Sequence, residues 1–271
     1  MAKTLDFYGR FSFDRSLASR LLQCIAEGQA TSEEAIGSYV GVNPYKVGSD
    51  RFPRWLLHMG LVTREGKSYK LTTFGELTYR YDPTLIREST LWLLHYYLTT
   101  NQQTYSEVWY RFANEFAAPQ KTFTQEELVA FLSRTRDEIP ENKSGIKGDT
   151  QELIRMYTRN QALGHLALLQ KQDKSYIVQA TVQPELLVIA YILLDFWARR
   201  YPRTDTLSFT ILCEAPESLG RIFVRDRSEI RQWITMLSGA GYVSFAESQH
   251  EPVNRLFPDS PQQLLEKYYS Q

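Results

Sequence analysis

Arg54-Trp55-Leu56-Leu57-His58-Met59-Gly60-Leu61-Val62, followed by Gly66-Lys67-Ser68-Tyr69-Lys70-Leu71, is the stretch whose reading decides the fold. A largely apolar helical run stops at a glycine. Two short segments then follow, divided by the turn Glu65-Gly66-Lys67-Ser68. Upstream, Leu17-Ala18-Ser19-Arg20-Leu21-Leu22 and Thr31-Ser32-Glu33-Glu34-Ala35-Ile36 read as two more helices. Thr31 or Ser32 can cap the second, with Thr31-x-x-Glu34 fitting a capping box. Helix, helix, helix, strand, turn, strand is the order of a winged helix-turn-helix, which presents its third helix to a nucleic-acid groove.

Working outward, Gly41-Val42-Asn43-Pro44 marks a turn before that third helix. Proline is tolerated in a first helical turn but not in the interior. Pro53 therefore sits near the start, and Ser49 or Asp50 is the expected cap. Residues 1–80 form the first unit, and 81–103 connecting helices. A second winged-helix-like unit spans 104–183. In it Val108, Trp109, Phe112 and Phe116 recur at helical spacing, and Thr124 opens another helix. Pro140 to Gly148 reads as a loop, and Asp149 or Thr150 as the cap of a third helix. A wing turns at Lys171 to Lys174. A long apolar helix fills 184–202. A third unit and tail occupy 203–271, with helical runs at 217–223 and 228–237, a strand at Tyr242 to Phe245, and a helix from Pro261. The fold class expected is mainly α, with two or three tandem winged helix-turn-helix units, small β-hairpin wings and long joining helices.

The 43% apolar and 23% charged content is that of an ordinary globular protein, and 31 basic against 31 acidic residues leave no global field to attract a polyanion. Local charge is uneven. Residues 1–80 carry four Lys and seven Arg against three Asp and five Glu, a net +3, whereas 104–180 balance and 203–247 net −1. The first unit is thus the one suited to phosphate. Lys46, Arg51 and Arg54 lie at or before the third helix, and Arg64, Lys67 and Lys70 lie on the wing. Asn43, Tyr45, Ser49 and Arg51 are the candidates for base edges, since Asn and Arg have bidentate geometries for adenine and guanine. The alternatives are a solvated surface, an ordinary Asn-Pro turn, or a protein-contact module.

No recognisable catalytic set emerges. His95, with Trp92 and Asn114, has no nucleophile in a known pattern and no second His at ligand spacing, so it reads as a core histidine. His58, His165 and His250 are scattered. Adjacent acidic pairs such as Glu126-Glu127 diverge on a helix and form no acid/base pair. Gly145-x-x-Gly148 lacks the Gly-Lys-Ser/Thr ending of a phosphate loop. Arg225-Asp226-Arg227 could be a second phosphate-contacting edge, but with a local net −1 it suits capping and ion pairing or a partner interface. Cys24 and Cys213 fit no metal spacing and are compatible with a reducing compartment. The longest apolar run, Leu186 to Trp197, contains Asp195 and is short for a bilayer. A cytoplasmic location, with no cofactor and no metal, is expected.

Four blocks carry a resemblance to a known family. They are Val40 to Val62 with Arg54-Trp55-Leu56; Leu71-Thr72-Thr73-Phe74-Gly75-Glu76 with Asp82-Pro83 and Thr90-Leu91-Trp92-Leu93-Leu94-His95; Phe112-x-Asn114-Glu115-Phe116 with Lys147-x-Asp149 and Leu153-Ile154-Arg155-x-Tyr157; and Ala215 to Phe223. In this order they resemble the bacterial family termed domain of unknown function 4007. Two departures stand out: Pro53 interrupts the first block, and Asp14 stands where many members have His. The resemblance implies genes beside sulfurtransferase-like proteins related to PAPS reductase, in DNA phosphorothioation and phage-defence islands. The expectation is a non-enzymatic DNA-binding accessory or adaptor subunit of such a modification-restriction system. Its implied partners are double-stranded DNA, other defence proteins such as that sulfurtransferase, and a second copy of the chain. The alternative is a scaffold in the same complex that does not touch DNA.

Overall fold

The computed structural model describes residues 5, 7–48, 51–66, 68–100, 106–118, 120–134, 143–179, 181–246 and 248–271. It is mostly helical, with three small antiparallel sheets. The first group of elements is α1 (Arg15–Ala26), α2 (Glu33–Val40), a 3-10 turn Pro44–Val47, α3 (Pro53–His58), and the hairpin β1 (Val62–Glu65) and β2 (Ser68–Leu71). Each helix starts where side-chain chemistry allows. Asp14 accepts from the Leu17 amide and Ser32 from the Ala35 amide, satisfying N–H groups that a helix end leaves orphaned. Gly41, at φ 69°, ends α2 in the left-handed region that favours glycine. The third helix begins at Pro53, later than expected. Proline there gives up no intrahelical hydrogen bond. Ser49 and Asp50, the expected caps, lie outside the described residues.

α4 (Thr73–Tyr81) is capped by Thr72 and returns to the core. The Asp82 carboxylate then accepts from the amides of Ile86 and Arg87 at 3.0 and 3.1 Å, bending the chain into α5 (Glu88–Thr99). α6 (Glu107–Arg111) runs on as a π turn through Phe116. Next come β3 (Thr122–Phe123), α7 (Gln125–Arg134), α8 (Lys143–Thr158), β4 (Leu169–Gln172) and β5 (Ser175–Val178). The loop expected up to Gly148 is corrected: residues 143–148 are the first turns of α8, because Ile146 is buried there in phase with Leu153 and Thr150 donates to its carbonyl.

α9 (Leu186–Arg200) is the long apolar helix. β6 (Thr206–Ser208), α10 (Phe209–Glu214), the single turn α11 (Leu219–Ile222), α12 (Arg227–Gly239), β7 (Val243–Phe245) and β8 (Pro252–Arg255) follow, then α13 (Pro261–Tyr269). The sheets run β3-β5-β4 and β6-β8-β7. Helix, strand, helices, hairpin therefore occurs twice, each time with the last strand in the middle. One apolar core runs through the chain, with Trp55, Trp92, Trp109 and Trp197 all fully buried in it. α13 packs on α9 and α4, and its Tyr269 hydroxyl bridges Thr78 and Thr90 at 3.1 and 3.0 Å. The chain's last helix thus locks its first unit.

Candidate functional site

The predicted phosphate-contacting residues fall into three settings. Asn43 Oδ1 accepts from the Tyr45 amide at 2.9 Å and so caps the 3-10 turn. Tyr45, 61% exposed, stands beyond it. The Arg51 guanidinium lies 3.3 Å from the Tyr45 ring centroid and donates to the Tyr45 carbonyl at 2.6 Å. Lys46 Nζ is 5.9 Å from the Phe52 ring. Tyr45, Lys46 and Arg51 are thus one cluster, built by the turn.

The hairpin is the second setting. Lys70 pairs with Glu65 at 2.6 Å, and Arg64 Nε donates to the Gly66 carbonyl at 3.0 Å. Thr63 opposes Lys70 and Arg64 opposes Tyr69. Because side chains alternate along a strand, Arg64 and Lys70 leave opposite faces. Lys67 and Ser49 lie outside the described residues.

α3 is the third setting. Pro53, Trp55, Leu56 and His58 are buried, and Trp55 Nε1 donates to the Phe11 carbonyl at 2.8 Å. Arg54 is half-buried and reaches the Phe7 carbonyl at 3.3 Å. A six-residue helix with this much apolar surface has little left to present to a groove. Lys46, Arg51 and Arg54 are all half-buried, and among the described candidates the exposed cations are Arg64 and Lys70 of the hairpin.

His95 is a satisfied core histidine. It is fully buried; Nε2 donates to the Ile222 carbonyl at 2.9 Å, which leaves Nδ1 to accept from the Tyr157 hydroxyl at 2.6 Å. Burial pushes its pKa down to about 4, partly opposed by the Ile222 carbonyl. Asn114 is equally occupied: its amide donates to the Thr99 and Tyr110 carbonyls at 3.1 and 2.9 Å, and its oxygen accepts from the Glu217 amide at 2.5 Å. Near the N-terminus of α12, Asp226 and Glu229 form a capping box, Arg225 pairs with Glu229, and Arg227 pairs with Glu214 and Glu251.

Two arrangements escaped the sequence reading. Arg199 bridges Asp195 at 2.7 Å, Glu217 at 2.6 Å and the Tyr96 hydroxyl at 2.8 Å, joining α9, α5 and the approach to α11. Glu217 holds φ 69° there. The spacing of Asp195 and Arg199 at i and i+4 was a visible signal; the remote Glu217 was not. The other is a cavity of about 240 Å³ between α3, α4, α5, α9 and α13, lined by Leu57, His58, Phe74, Tyr97, Tyr191 and Leu265 among others. In the sequence His58 is one of several scattered histidines, with nothing to mark it. Among the described residues no group of three or more His, Cys, Asp or Glu is arranged to hold a metal ion. Nor is any described helix long and apolar enough to cross a membrane.

The model of the family "Protein of unknown function (DUF4007)" matches residues 30–269. The chain belongs to this family. Two solved structures, titled "SspB crystal structure" and "Magnesium ion-bound SspB crystal structure", are similar to this member. Each has a TM-score of 0.81 at 17% identity, covering 99% of this chain and 88% of the other. At that identity the likeness is one of fold. No curated protein matches the sequence.

Proposed function

We propose that this DUF4007 protein is a DNA-binding accessory subunit of a phosphorothioation-type modification and defence system, built from three winged-helix units. The two sheets ordered β3-β5-β4 and β6-β8-β7, each built by a helix, strand, helices, hairpin run, support the winged-helix reading. The gene setting that the family resemblance implies supports the defence context, and the likeness to the SspB structures supports the fold. Protein partners, among them a PAPS-reductase-like sulfurtransferase, occupy the later units in this reading.

The observation that carries DNA contact is the Tyr45–Arg51 pair beside Lys46. It is an exposed aromatic ring with a guanidinium on its face, on a turn whose core contribution comes from Val47 instead. Phosphate contacts release counterions, so affinity falls with salt at a log–log slope of about −0.9 per neutralised phosphate. Fluorescence anisotropy on a labelled duplex from 50 to 300 mM KCl tests this. Replacing Lys46 and Arg51 together by Ala is expected to make the slope shallower by about 2. An unchanged slope, or no retention at low salt, refutes it. The buried α3 is the specific observation that favours the second reading, a scaffold that meets only proteins. In that case the duplex titration is flat.

A further inference from the structure

Charge counted along the chain hides what the middle group of elements shows to solvent. Residues 143–179 hold six Lys and Arg against three acidic residues. Two of the acids, Asp149 and Glu152, are buried. The Glu152 oxygens accept from the Ser12 hydroxyl at 2.6 Å and the Phe13 amide at 3.1 Å. Burial raises its pKa, opposed by those two hydrogen bonds and, less, by Arg155 and Arg159. Outside stand five exposed cations, Lys147, Arg155, Arg159, Lys171 and Lys174, against the one exposed carboxylate of Asp173. None of the five forms an ion pair among the described residues.

α8 sets three of these cations in a line. It holds the place that α3 holds in the first group, the helix ahead of a hairpin, but it has 16 residues where α3 has 6. Ile146, Leu153, Ile154, Met156 and Tyr157 give it a buried face, so its other side is free of core duty. There Lys147, Arg155 and Thr158 are exposed and Gln151 is half-buried. At 3.6 residues per turn these four fall within an arc of about 80°, and Arg159 follows the last turn. Lys147 and Arg155 are separated by about 12 Å at a rise of about 1.5 Å per residue. A DNA major groove is about 12 Å wide.

The hairpin adds the other two. β4 packs on α8, and Lys171, two positions beyond the buried Leu169, leaves the sheet on the same face as Leu169. Lys174 is at the tip, beside Asp173 at φ 52°. Nothing apolar accompanies these charges: among the described residues, the exposed large hydrophobic side chains all lie outside 143–179. A protein interface has a core depleted of charge and enriched in aromatic residues. Cations with polar Gln151 and Thr158 between them suit a phosphate backbone instead.

We propose that the α8 stripe and the β4–β5 hairpin form a second duplex-DNA surface, gripping the backbone through Lys147, Arg155, Arg159, Lys171 and Lys174. This rests on the reading of the protein as a DNA binder, but it shares no residue with the Tyr45–Arg51 turn. The rest of the later units is left to protein partners.

The salt titration of the labelled duplex tests it on the full chain. Lys147→Gln, Arg155→Gln and Arg159→Gln together are expected to make the log–log slope shallower by about 3, at about 0.9 per phosphate. Lys171→Gln with Lys174→Gln is expected to do so by about 2, so the test survives a helix variant that fails to fold. Removing three exposed cations elsewhere, with Arg200→Gln, Arg203→Gln and Lys267→Gln, is expected to leave the slope as it is. An unchanged slope in the folded helix or hairpin variant overturns the proposal, and so does an equal change in the control. Loss of labelled poly-glutamate binding in the helix variant, with its duplex slope intact, assigns the face to an acidic protein and overturns it too. A slope that responds to the α8 variant but not to Lys46 and Arg51 supports this surface and refutes the turn; the reverse refutes this surface alone. No duplex binding by the parent protein refutes the DNA reading itself, and this surface with it.

Discussion

Replacing His58 by Phe is expected to stabilise the protein, and more so in acid. The folded pKa of His58 is about 3, against an ordinary 6.5 in the unfolded chain. The unfolded state therefore binds more protons between these values, and stability falls as pH falls through that window. At pH 5.0 the histidine is about 1.5 units below its unfolded pKa. At 1.36 kcal/mol per unit, the folded state then loses about 2 kcal/mol relative to pH 7.5. His95, with a folded pKa of about 4, contributes a similar loss to both proteins. Carboxylates also titrate in both proteins, and these shared terms cancel in the comparison. At pH 7.5 the variant no longer buries the unpartnered Nδ1, which is worth about 1 kcal/mol, and the neighbouring cavity accommodates the slightly larger ring. The expected advantage of His58→Phe is thus about 1 kcal/mol at pH 7.5 and about 3 kcal/mol at pH 5.0. Urea denaturation at the two pH values reads both, provided the m-values agree. Parallel pH dependence in variant and parent would refute the buried neutral histidine, and so would a destabilised variant at pH 5.0.

Arg199→Met strands two largely buried carboxylates and is expected to cost about 3 kcal/mol, lowering Tm by roughly 6–12 °C. Glu217→Gln in that background should restore part of the loss, and additive effects would break the proposed coupling. Gly75→Ala would place a Cβ 1.9 Å from the Leu61 carbonyl oxygen, so the ordinary helix gain of about 1 kcal/mol is replaced by a net loss of about 2 kcal/mol or more. An unchanged urea midpoint would show that α4 does not pack on the Leu61 backbone in this way. Arg54→Ala is expected to cost about 1 kcal/mol through the lost Phe7 contact while leaving the salt slope of duplex binding intact. A slope change equal to that of the Lys46/Arg51 pair would place Arg54 on the nucleic-acid surface after all.

Much of the architecture was legible because its signals are local. Ser32 sits where a helix starts, and the α9 run from Leu186 to Trp197 is apolar but for Asp195. What escaped was short or remote. β3 has two residues and β6 three, too few for a period-2 pattern, and β8 opens on Pro252, where a strand's first residue tolerates proline. The start of α8 was hidden by two glycines and two lysines, because one buried isoleucine fixes its phase. The cationic candidates were legible as residue types but not as an arrangement. Arg51 and Arg54 are three residues apart, yet one lies on an exposed tyrosine and the other on a backbone carbonyl.

The residues that carry the family resemblance meet inside the molecule. His95 of the second block touches Tyr157 of the third and the Ile222 carbonyl of the fourth. Asn114 of the third receives the Glu217 amide of the fourth. Gly220 of the fourth lies so close to Cys213 that a Cβ would fall 2.1 Å from its carbonyl oxygen. Each contact joins elements more than 60 positions apart in sequence, Gly220 excepted. The polar groups involved have their hydrogen bonds filled by protein partners, which is what burial demands of them. These blocks specify how the units dock on one another. The Tyr45–Arg51 turn lies within the first block as well, but on the outside, which is why it and not this interior set carries the proposed DNA contact.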